Sequence, residues 1–300
     1  MRSSRGTRSH WASRNRKVKA VIINGDDFGH SAEVNAGIIR AHRDGVLTSA
    51  SLMVASPARD EAAAYARANP SLDVGLHLVI CKGRSVLPSG RLPGVVDSNC
   101  AFANNPVLAG LRYFFDRRTR ELLAAECRAQ IEAHLMLVGY LNHIDGHLNF
   151  HVHPTIADIV VELAAEYAVP CIRLPREPVS TTLALAKDNF ARKLLEAAIF
   201  KALSKRTRRL LDAKGIKSTD WLFGLHQSGH LTEPYVLGVI DRLPQGVTEL
   251  YFHPAADTGG VPPSAASQRE VEILTSRAVR EAFDRHGVQL MTFRGLAASK

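Results

Sequence analysis

Residues 18–29 read VKAVIINGDDFG, a short apolar run that ends at two adjacent carboxylates, Asp26 and Asp27. The apolar part is rich in β-branched residues and stops at an Asn-Gly pair, which predicts a buried strand. A helix is predicted over 31–43, with Ser31 as its N-cap. A buried strand followed at once by a helix is typical of an α/β fold.

The same alternation of strand and helix continues to the end of the chain. Further strands are predicted over 46–54, 72–80, 141–152, 171–174, 221–225, 250–252 and 288–293, and helices over 60–68, 119–138, 155–167, 183–214, 233–242 and 268–285. The pattern predicts one α/β domain over 18–300, with parallel strands joined by helical crossovers in an open sheet or a barrel. Residues 82–118 predict an irregular insertion, and the basic residues 1–17 a disordered tail.

Composition places the chain among ordinary globular proteins. Its 300 residues are 46% hydrophobic and 22% charged, values that exclude wholesale disorder. The apolar runs are far shorter than the roughly 18 residues of a membrane span, and the basic start lacks the apolar stretch of a secretory signal. Four isolated cysteines argue against a disulfide framework and a zinc knuckle. We therefore expect a cytoplasmic protein with reduced thiols.

The net charge of +9 is concentrated at residues 1–17 and 201–217. Such clusters suit nucleic acid, an anionic lipid surface or an acidic substrate. Aromatic residues make up only 6% of the chain and are not interleaved with the basic ones, which weighs against nucleic acid. A basic nucleic-acid-binding protein is the non-enzyme alternative, and salt-sensitive DNA binding without hydrolysis would favour it. The sequence leaves the oligomeric state open, a homodimer included.

The segment 143–154, HIDGHLNFHVHP, is unusually rich in metal ligands. Every odd position up to 153 is His, Asp or Asn, and the even positions between them are apolar or Gly, the period of a strand with one polar face. On a straight strand His143 and His153 would lie roughly 30 Å apart, so only one or two of these side chains can bind one ion. The others must orient those ligands, contact substrate or belong to the following loop.

Polar residues at other strand ends complete the candidate set. Asp26 and Asp27 follow the first strand, where α/β folds bind ligands, and one carboxylate can hold a metal while the other acts as a base. His77 could add another ligand to a site of two histidines and one carboxylate. Arg173 lies in an apolar run and needs a carboxylate partner. Weaker candidates are His226, His230 and His253.

Several common catalytic patterns are absent from the sequence. It contains no GxGxxG after a strand and no GxxxxGK[ST], which removes support for nucleotide-cofactor and P-loop chemistry. No GxSxG elbow is present, which argues against an ordinary serine hydrolase. The remaining candidates favour a metal centre of two histidines and one carboxylate.

Four motifs occur in the order of one known family: DDFG at 26–29, GLH at 75–77, HxDGH at 143–147 and FHP at 252–254. Over about residues 18–295 the chain resembles the YdjC-like carbohydrate deacetylase family. The HVHP ending and the LFGLHQSGHL segment at 222–231 resemble its hopanoid-biosynthesis-associated branch. The resemblance implies a distorted, TIM-like (βα) barrel. One departure is Asn149, which stands where the family usually has His and leaves the roles of His151 and His153 open.

The resemblance also implies roles for individual residues. The metal ligands would be Asp27, His77 and His147, with Asp26 as the catalytic base and His253 as the acid. The residues expected to contact substrate or to support these groups are Arg173, Asp145, His143, His151 and His226. The cofactor would be one divalent ion, with Mg and Zn ahead of Mn, Co, Ni and Fe.

The reaction expected from the resemblance is deacetylation of an N-acetylglucosamine unit by metal-activated water. The substrate would be a hopanoid glycolipid, N-acetylglucosaminyl bacteriohopanetetrol, with a chitooligosaccharide as the alternative and a metal-dependent phosphoesterase activity as the runner-up. A lipid substrate suits the segment 194–211, where Leu and Ile stand beside Lys and Arg, although an ordinary packed helix fits it too. The packed helix is slightly favoured, and peripheral contact with the inner face of the membrane is the alternative.

Overall fold

The computed structural model describes residues 19–299 and is built around a parallel sheet. Its strands are β1 Lys19–Phe28, β2 Ser49–Leu52, β3 Asp73–Leu78, β4 His143–Gly146, β5 Cys171–Ile172, β6 Trp221–Phe223, β7 Gly246–Phe252 and β8 Gln289–Met291. The order across the sheet is β5-β4-β3-β2-β1-β7-β6, and β8 pairs with the first half of β1. β1 is therefore the central strand, with three partners.

Helices cover the outer face of this sheet and connect its strands. They are α1 Ala32–Arg43, α2 Arg59–Ala68, α3 Pro106–Phe115, α4 Arg118–Val138, α5 Pro154–Glu166, α6 Val179–Leu185, α7 Phe190–Lys214, α8 Glu233–Asp241, α9 Ala265–Thr275, α10 Arg277–Arg285 and α11 Phe293–Ala298. Short 3₁₀ turns cover Ser89–Arg91 and His147–Val152. Parallel strands need such crossovers, as the alternating sequence pattern predicts.

The sheet curls until its edge strands approach each other. The Ile172 backbone NH donates to the Lys217 carbonyl at 2.9 Å, and the Leu222 NH donates to the Arg176 carbonyl at 3.1 Å. These few bonds leave a distorted, incompletely closed barrel in a single α/β domain, which confirms the predicted fold class. The carboxyl ends of the strands converge at one end of the barrel, where such folds bind ligands.

The apolar run of β1 is continuous because both of its faces are covered. Val21 and Ile23 pack into the main core, whereas Ile22 packs with Cys171 and Phe293 in a smaller cluster. Strands buried on both faces lack the alternation of half-exposed strands. α1 begins where predicted, since the Ser31 side chain accepts a hydrogen bond from the Val34 NH.

The strand predicted over 141–152 is wrong beyond Gly146. After β4 the chain turns through the 3₁₀ segment, and Leu148 and Asn149 adopt φ values of 56° and 54°. Left-handed backbone of this kind interrupts an extended strand. The alternation of polar and apolar residues there reflects contacts with different neighbours, because consecutive residues of the turn face different parts of the barrel end.

Three further elements differ from the sequence prediction. The insertion at 82–118 contains α3, which the sequence conceals because PVLAGLRYFF lacks the polar face of an ordinary surface helix. The helix predicted over 268–285 is broken at Ser276, which ends α9 and caps α10. The last predicted strand ends at Met291, and α11 follows it.

The region 183–214 forms α6 and α7, and the two halves of α7 differ. In the second half Ser204, Thr207 and Leu211 are buried against the barrel, so the segment predicted to lie on a membrane is partly an ordinary packed helix. No helix within residues 19–299 is both long enough and apolar enough to cross a membrane. The predicted tail at 1–17 lies outside the described residues.

Candidate metal centre and active site

The end of β1 directs two adjacent carboxylates to different neighbours. The register of β1 against β2 shifts between Gly25 and Phe28, and Asp27 adopts a φ of 64°. Asp is one of the residues that tolerate this left-handed conformation. The buried Asp26 turns toward a guanidinium, and the half-buried Asp27 turns toward two imidazoles. The two carboxylates therefore differ in surroundings, as the hypothesis of separate roles requires.

Asp27, His77 and His147 form a compact cluster. Oδ1 of Asp27 lies 3.1 Å from Nε2 of His77 and 3.0 Å from Nδ1 of His147. One donor atom from each residue lies within 4.8 Å of the other two. Burial raises the pKa of Asp27, but the imidazoles of His147 and His77 beside it hold it well below its ordinary value. The cluster thus presents one carboxylate and two imidazoles at a single point.

The orientation of His77 is set from behind by Asp145. Nδ1 of His77 lies 2.7 Å from Oδ1 of Asp145 and 3.2 Å from the Ser51 hydroxyl. An Nδ1 proton donated to Asp145 leaves Nε2 as a free lone pair turned toward Asp27. Nε2 is a buried atom without a hydrogen-bond partner, so the donor set fits a divalent ion bound at this point.

The pKa of His77 agrees with a cation site. Burial lowers this pKa, but Asp145 and Asp27 together raise it to about 10. Without a metal ion, a proton therefore supplies the positive charge between the two carboxylates. A divalent ion on Nε2 would take the place of that proton, which makes metal binding dependent on pH.

His147 reaches the cluster because the chain turns sharply after β4. Gly146 precedes it, and a Cβ at Gly146 would lie 3.0 Å from Nδ1 of His151. Such contacts are tighter than most side chains tolerate, so a steric requirement explains the Gly of the HxDGH motif. The left-handed residues Leu148 and Asn149 complete the turn, and Asn is a residue type that accepts this backbone.

Arg173 lies at the centre of the barrel and is fully buried. Its two terminal nitrogens donate to Asp26 at 2.7 Å each, and its Nε donates to Glu249 at 2.8 Å. The guanidinium also lies 2.9 Å from Asp145 Oδ2 and over the Tyr251 ring at 4.6 Å. The predicted need of Arg173 for a carboxylate is met three times over, and a bidentate pair fixes the orientation of Asp26.

Glu249 and Tyr251 are site residues that the sequence analysis missed. Both lie on β7, in the run GVTELYF, and point into the barrel beside Arg173. Burial raises the pKa of Glu249 to about 7 even though Arg173 lowers it. A charged residue inside an otherwise apolar strand is the signal that could have identified it.

His253 follows β7, which lies on the other side of β1 from β3 and β4. It is half-buried, its ring meets that of Tyr251 edge-on at 5.6 Å between centroids, and it lies near enough to Asp27 to help lower the pKa of that carboxyl. The buried Glu270 accepts a hydrogen bond from the His253 backbone NH. Glu270 therefore holds the backbone at this point and leaves the imidazole free.

The other predicted histidines are distributed around the barrel. His151 does not contact the metal cluster. Its Nε2 donates a hydrogen bond to the Arg173 carbonyl at 3.0 Å. His143 stacks on Phe293 at 3.8 Å, away from the metal cluster. Burial lowers the pKa of both histidines to about 4, so both are neutral.

Two more histidine positions lie farther from the cluster. The His226 backbone NH donates to Glu177 at 3.1 Å, and its Nδ1 lies 3.6 Å from Glu196 of α7. His153 stacks on Phe150 at 5.7 Å between ring centroids. The structure therefore brings together Asp26, Asp27, His77, Asp145, His147 and Arg173, and it leaves His143, His153 and His226 in other contacts.

Comparisons with known proteins identify the family of the chain. The family model of the YdjC-like proteins matches residues 20–285. A carbohydrate deacetylase from Geobacillus stearothermophilus is 33% identical over 279 residues, which cover 91% of this chain and 96% of that protein. A carbohydrate deacetylase from Brevibacillus brevis is also 33% identical, over 284 residues, which cover 92% and 99% respectively.

A solved structure supports the same fold. A candidate cellobiose-phosphate cleavage protein from Enterococcus faecalis V583 superposes with a TM-score of 0.72 at 26% identity, covering 93% of this chain and 99% of its own. The match extends along nearly the whole of both chains, so it includes the barrel and the loops that hold the cluster. Together with the family match over residues 20–285, this shows that the chain belongs to the YdjC-like protein family.

Proposed function

We propose that this carbohydrate deacetylase hydrolyses the acetamide of an N-acetylglucosamine unit with the help of one divalent ion. The ion would be held by Asp27, His77 and His147. The observation that carries the proposal is the convergence of these three donors within 4.8 Å, with the His77 Nε2 buried and without a hydrogen-bond partner. The similarity to two bacterial carbohydrate deacetylases supports the same reaction.

A bound divalent ion would lower the pKa of water and polarise the acetamide carbonyl. Asp26, next to the ligand Asp27, is the proposed base that accepts the proton of the attacking water. Arg173 holds that carboxylate in a fixed orientation through its two 2.7 Å hydrogen bonds. A base fixed in this way needs no rotation before it accepts a proton.

The nitrogen of the sugar must gain a proton before it leaves as an amine. His253 is the proposed donor, because it follows β7, on the other side of β1 from the strands that lead to His77 and His147, and its imidazole has no role in the metal cluster. An imidazole has the appropriate unperturbed pKa for proton transfer near neutral pH. Asp26 accepts the proton of the attacking water, and His253 donates a different proton to the leaving nitrogen.

The proposed natural substrate is a hopanoid glycolipid, N-acetylglucosaminyl bacteriohopanetetrol, at the inner face of the membrane. The HVHP and LFGLHQSGHL segments of the sequence support this choice. A chitooligosaccharide is the alternative, since the chemistry at the acetamide would be the same. The proposed ion is Mg²⁺ or Zn²⁺, and these two are the first to test.

A two-metal phosphoesterase is less compatible with the site. A second group of donors, Asp26, His77 and Asp145, could in principle hold an ion. Both of its carboxylates already contact the Arg173 guanidinium, whose charge would repel a second cation. One ion is therefore the favoured stoichiometry.

Acetate release from two substrates tests the proposal directly. Metal-depleted protein is assayed with N-acetylglucosaminyl bacteriohopanetetrol and with diacetylchitobiose, before and after Zn²⁺, Mg²⁺, Mn²⁺ or Co²⁺ is added. Metal-dependent release from the hopanoid alone is the expected result, and release from chitobiose would keep the reaction but change the substrate. Absence of release from both substrates with every metal would overturn the proposed reaction.

A further inference from the structure

Helix α3 exposes apolar side chains to solvent along most of its length. Its exposed residues include Val107, Leu108, Leu111, Phe114 and Phe115, of which Phe115 is 73% exposed. A surface helix ordinarily turns such residues toward the core and polar residues outward. An apolar patch that faces solvent is typical of a surface that contacts another molecule or a membrane.

The first half of α7 shows the same inversion. Phe190, Leu194, Leu195 and Ile199 are exposed, with Leu195 at 64%. Lys193, by contrast, is buried, and its ammonium group donates to the Ala186 carbonyl and to Asp188 at 3.0 Å each. On this half of α7 the cation of Lys193 is held against the protein and the apolar side chains face solvent.

The two helices border the turn that carries His147. From α3, Tyr113 meets Phe150 edge-on at 6.1 Å between centroids, and Phe114 meets His153 at 6.4 Å. α7 contacts the same turn, from which Leu148 projects with 42% of its surface exposed. The exposed residues of α3, of the first half of α7 and of Leu148 are here named the apolar rim, and both helices contact the turn that begins at His147.

Basic residues follow the apolar rim on both helices. Exposed Arg117 and Arg118 follow α3 after Asp116, and exposed Lys201, Lys205 and Arg209 lie farther along α7. Residues 106–120 contain four arginines and one acid, and residues 187–209 contain eight basic residues and two acids. The exposed residues Arg117, Arg118, Lys201, Lys205 and Arg209 are here named the basic collar.

The apolar rim could be covered by a second copy of the chain or by a lipid bilayer, and the charge of the basic collar distinguishes the two. In a symmetric dimer the same patch meets itself, which would bring two basic collars close together and cost electrostatic energy. An anionic bilayer complements both features, since its acyl region accepts the apolar side chains and its headgroups attract the cations. Charge complementarity therefore favours the bilayer.

A groove beside α7 has the same mixed character. It encloses about 560 Å³ and is bordered by Lys201, Lys205 and Arg209 together with the apolar side chains of Phe200 and Trp221. Glu177 is an acidic residue in the lining, and the cations outnumber it, so the mixture of cationic and apolar groups suits an amphiphile with a negative headgroup. The groove thus extends the surface available to an anionic lipid.

We propose that the apolar rim and the basic collar dock this enzyme onto an anionic lipid bilayer, with the mouth beside His147 at the membrane surface. The apolar rim enters the interface, and the basic collar lies at the level of the headgroups. The proposal concerns the surface on which the enzyme works and is independent of the glycan that it deacetylates. Vesicles without any glycolipid therefore test it separately from the deacetylase activity.

The experiment is co-sedimentation of the full chain with vesicles of phosphatidylglycerol and phosphatidylcholine, or of phosphatidylcholine alone, at low and high salt. We expect binding to the anionic vesicles at low salt, with clear weakening at high salt. Lys201→Glu combined with Lys205→Glu should weaken binding by roughly thirtyfold or more, because each cation at an anionic surface contributes about fivefold. Phe114→Ser combined with Phe115→Ser should weaken it at both salt concentrations.

Matched controls separate these effects from general loss of charge or hydrophobicity. Met136→Ser removes an exposed apolar residue from the far end of α4. Arg40→Glu with Arg285→Glu reverses two exposed charges on α1 and α10, which both pack against α9. The controls should bind like the wild type, and circular dichroism and thermal unfolding establish that every variant is folded. All variants retain residues 1–17, so differences among them report on the helices.

Three results would overturn the proposal. The first is equal binding to neutral and anionic vesicles, and the second is binding that the Phe114 and Phe115 substitutions leave unchanged. The third is a dimer in analytical ultracentrifugation that these substitutions dissociate, together with no vesicle binding. That last result would assign the apolar rim to contact between two copies of the chain.

Discussion

Asp26 and Asp27 are neighbours of the same type in opposite electrostatic surroundings. A guanidinium holds Asp26 at 2.7 Å, whereas Asp27 faces two imidazoles at 3.0 and 3.1 Å. Neighbouring residues of a strand point to opposite sides, and the register shift and left-handed Asp27 at the end of β1 add to this separation. One residue can then act on protons while the other binds a cation.

Asp26→Asn tests this division of roles at the first carboxylate. The substitution preserves shape and removes the basic oxygen pair, so we expect acetate release to fall by about 10²–10⁴-fold with the metal retained. Enzyme assays and metal analysis of the same purified sample measure both. Asp27→Asn is the matched control, and it should lose metal and activity together. Loss of the metal from Asp26→Asn would contradict the assignment.

Glu249 makes folding stability depend on pH. Its pKa is about 7 in the folded protein and near 4.5 in an ordinary environment, mainly because burial disfavours the charged form. Between these values the folded state keeps a proton that the unfolded state has released, so this carboxyl lowers stability as pH rises. The difference between the two pKa values corresponds to about 3 kcal/mol of folding free energy. Above about pH 7 its effect is constant.

Glu249→Gln should remove that pH dependence. Urea unfolding at about pH 5 and about pH 7.5, with a chelator present to exclude metal effects, measures the free energy of unfolding of both proteins. The wild type should lose stability relative to the variant as pH rises across this window. Glu272→Gln, at an exposed position, is the control and should follow the wild type. Parallel pH profiles for the wild type and Glu249→Gln would refute the effect.

At the scale of elements, helix α1 packs directly against the loop that carries His253. A Cβ on Gly37 would lie 2.6 Å from Cα of Ala255 and 2.8 Å from the carbonyl carbon of Pro254. Backbone atoms cannot move aside as flexible side chains do, so the helix and the loop would have to separate. The position of His253 therefore depends on a residue without a side chain on α1.

Gly37→Ala should lower the rate of acetate release through displacement of this loop. Misplacement of a catalytic group by about 1 Å can cost up to about a hundredfold in rate, and metal binding should be unchanged because the ligands lie on other elements. Steady-state kinetics and metal titration provide the two readouts. Gly90→Ala is the matched control, since no atom lies within 4 Å of a Cβ there. An unchanged rate in Gly37→Ala would exclude this coupling.

At the scale of the whole molecule, the cluster joins three separate parts of the barrel. Asp27, His77 and His147 belong to β1, β3 and the turn after β4, so an ion bound by all three links the first half of the chain together. Binding to the folded state alone raises the free energy of unfolding by mass action. The effect is about 2.7 kcal/mol when the free ion is at a hundred times its dissociation constant.

Thermal unfolding with and without a divalent ion measures this link. We expect the ion to raise the midpoint by several degrees, and we expect His77→Ala to abolish the shift. His143→Ala is a control histidine in the same barrel that lies outside the cluster; the variant should start at a lower midpoint but keep the shift. A full shift in His77→Ala would remove that residue from the ligand set.

Local patterns in the sequence were sufficient to predict the elements that depend only on residues close by in the chain. The apolar run of β1, the Ser31 cap of α1 and the alternation of strands and helices are decided by backbone hydrogen bonding and burial within a few residues. They predicted one parallel α/β domain, open or closed, and the barrel itself was implied by the resemblance to the YdjC-like family. The strand ends also placed Asp27 and His77 at one edge of the sheet, because parallel strands end together.

Only the tertiary structure decided where the remaining polar residues act. His143, His147 and His151 look alike in the sequence row, yet one stacks on Phe293, one joins Asp27 and one contacts the Arg173 carbonyl. Glu249 becomes part of the site because β7 lies beside β1, which brings it to Arg173. Local sequence determined the elements because their hydrogen bonds are short in range. The site depends on contacts between residues up to 147 positions apart, which only packing of the whole barrel creates.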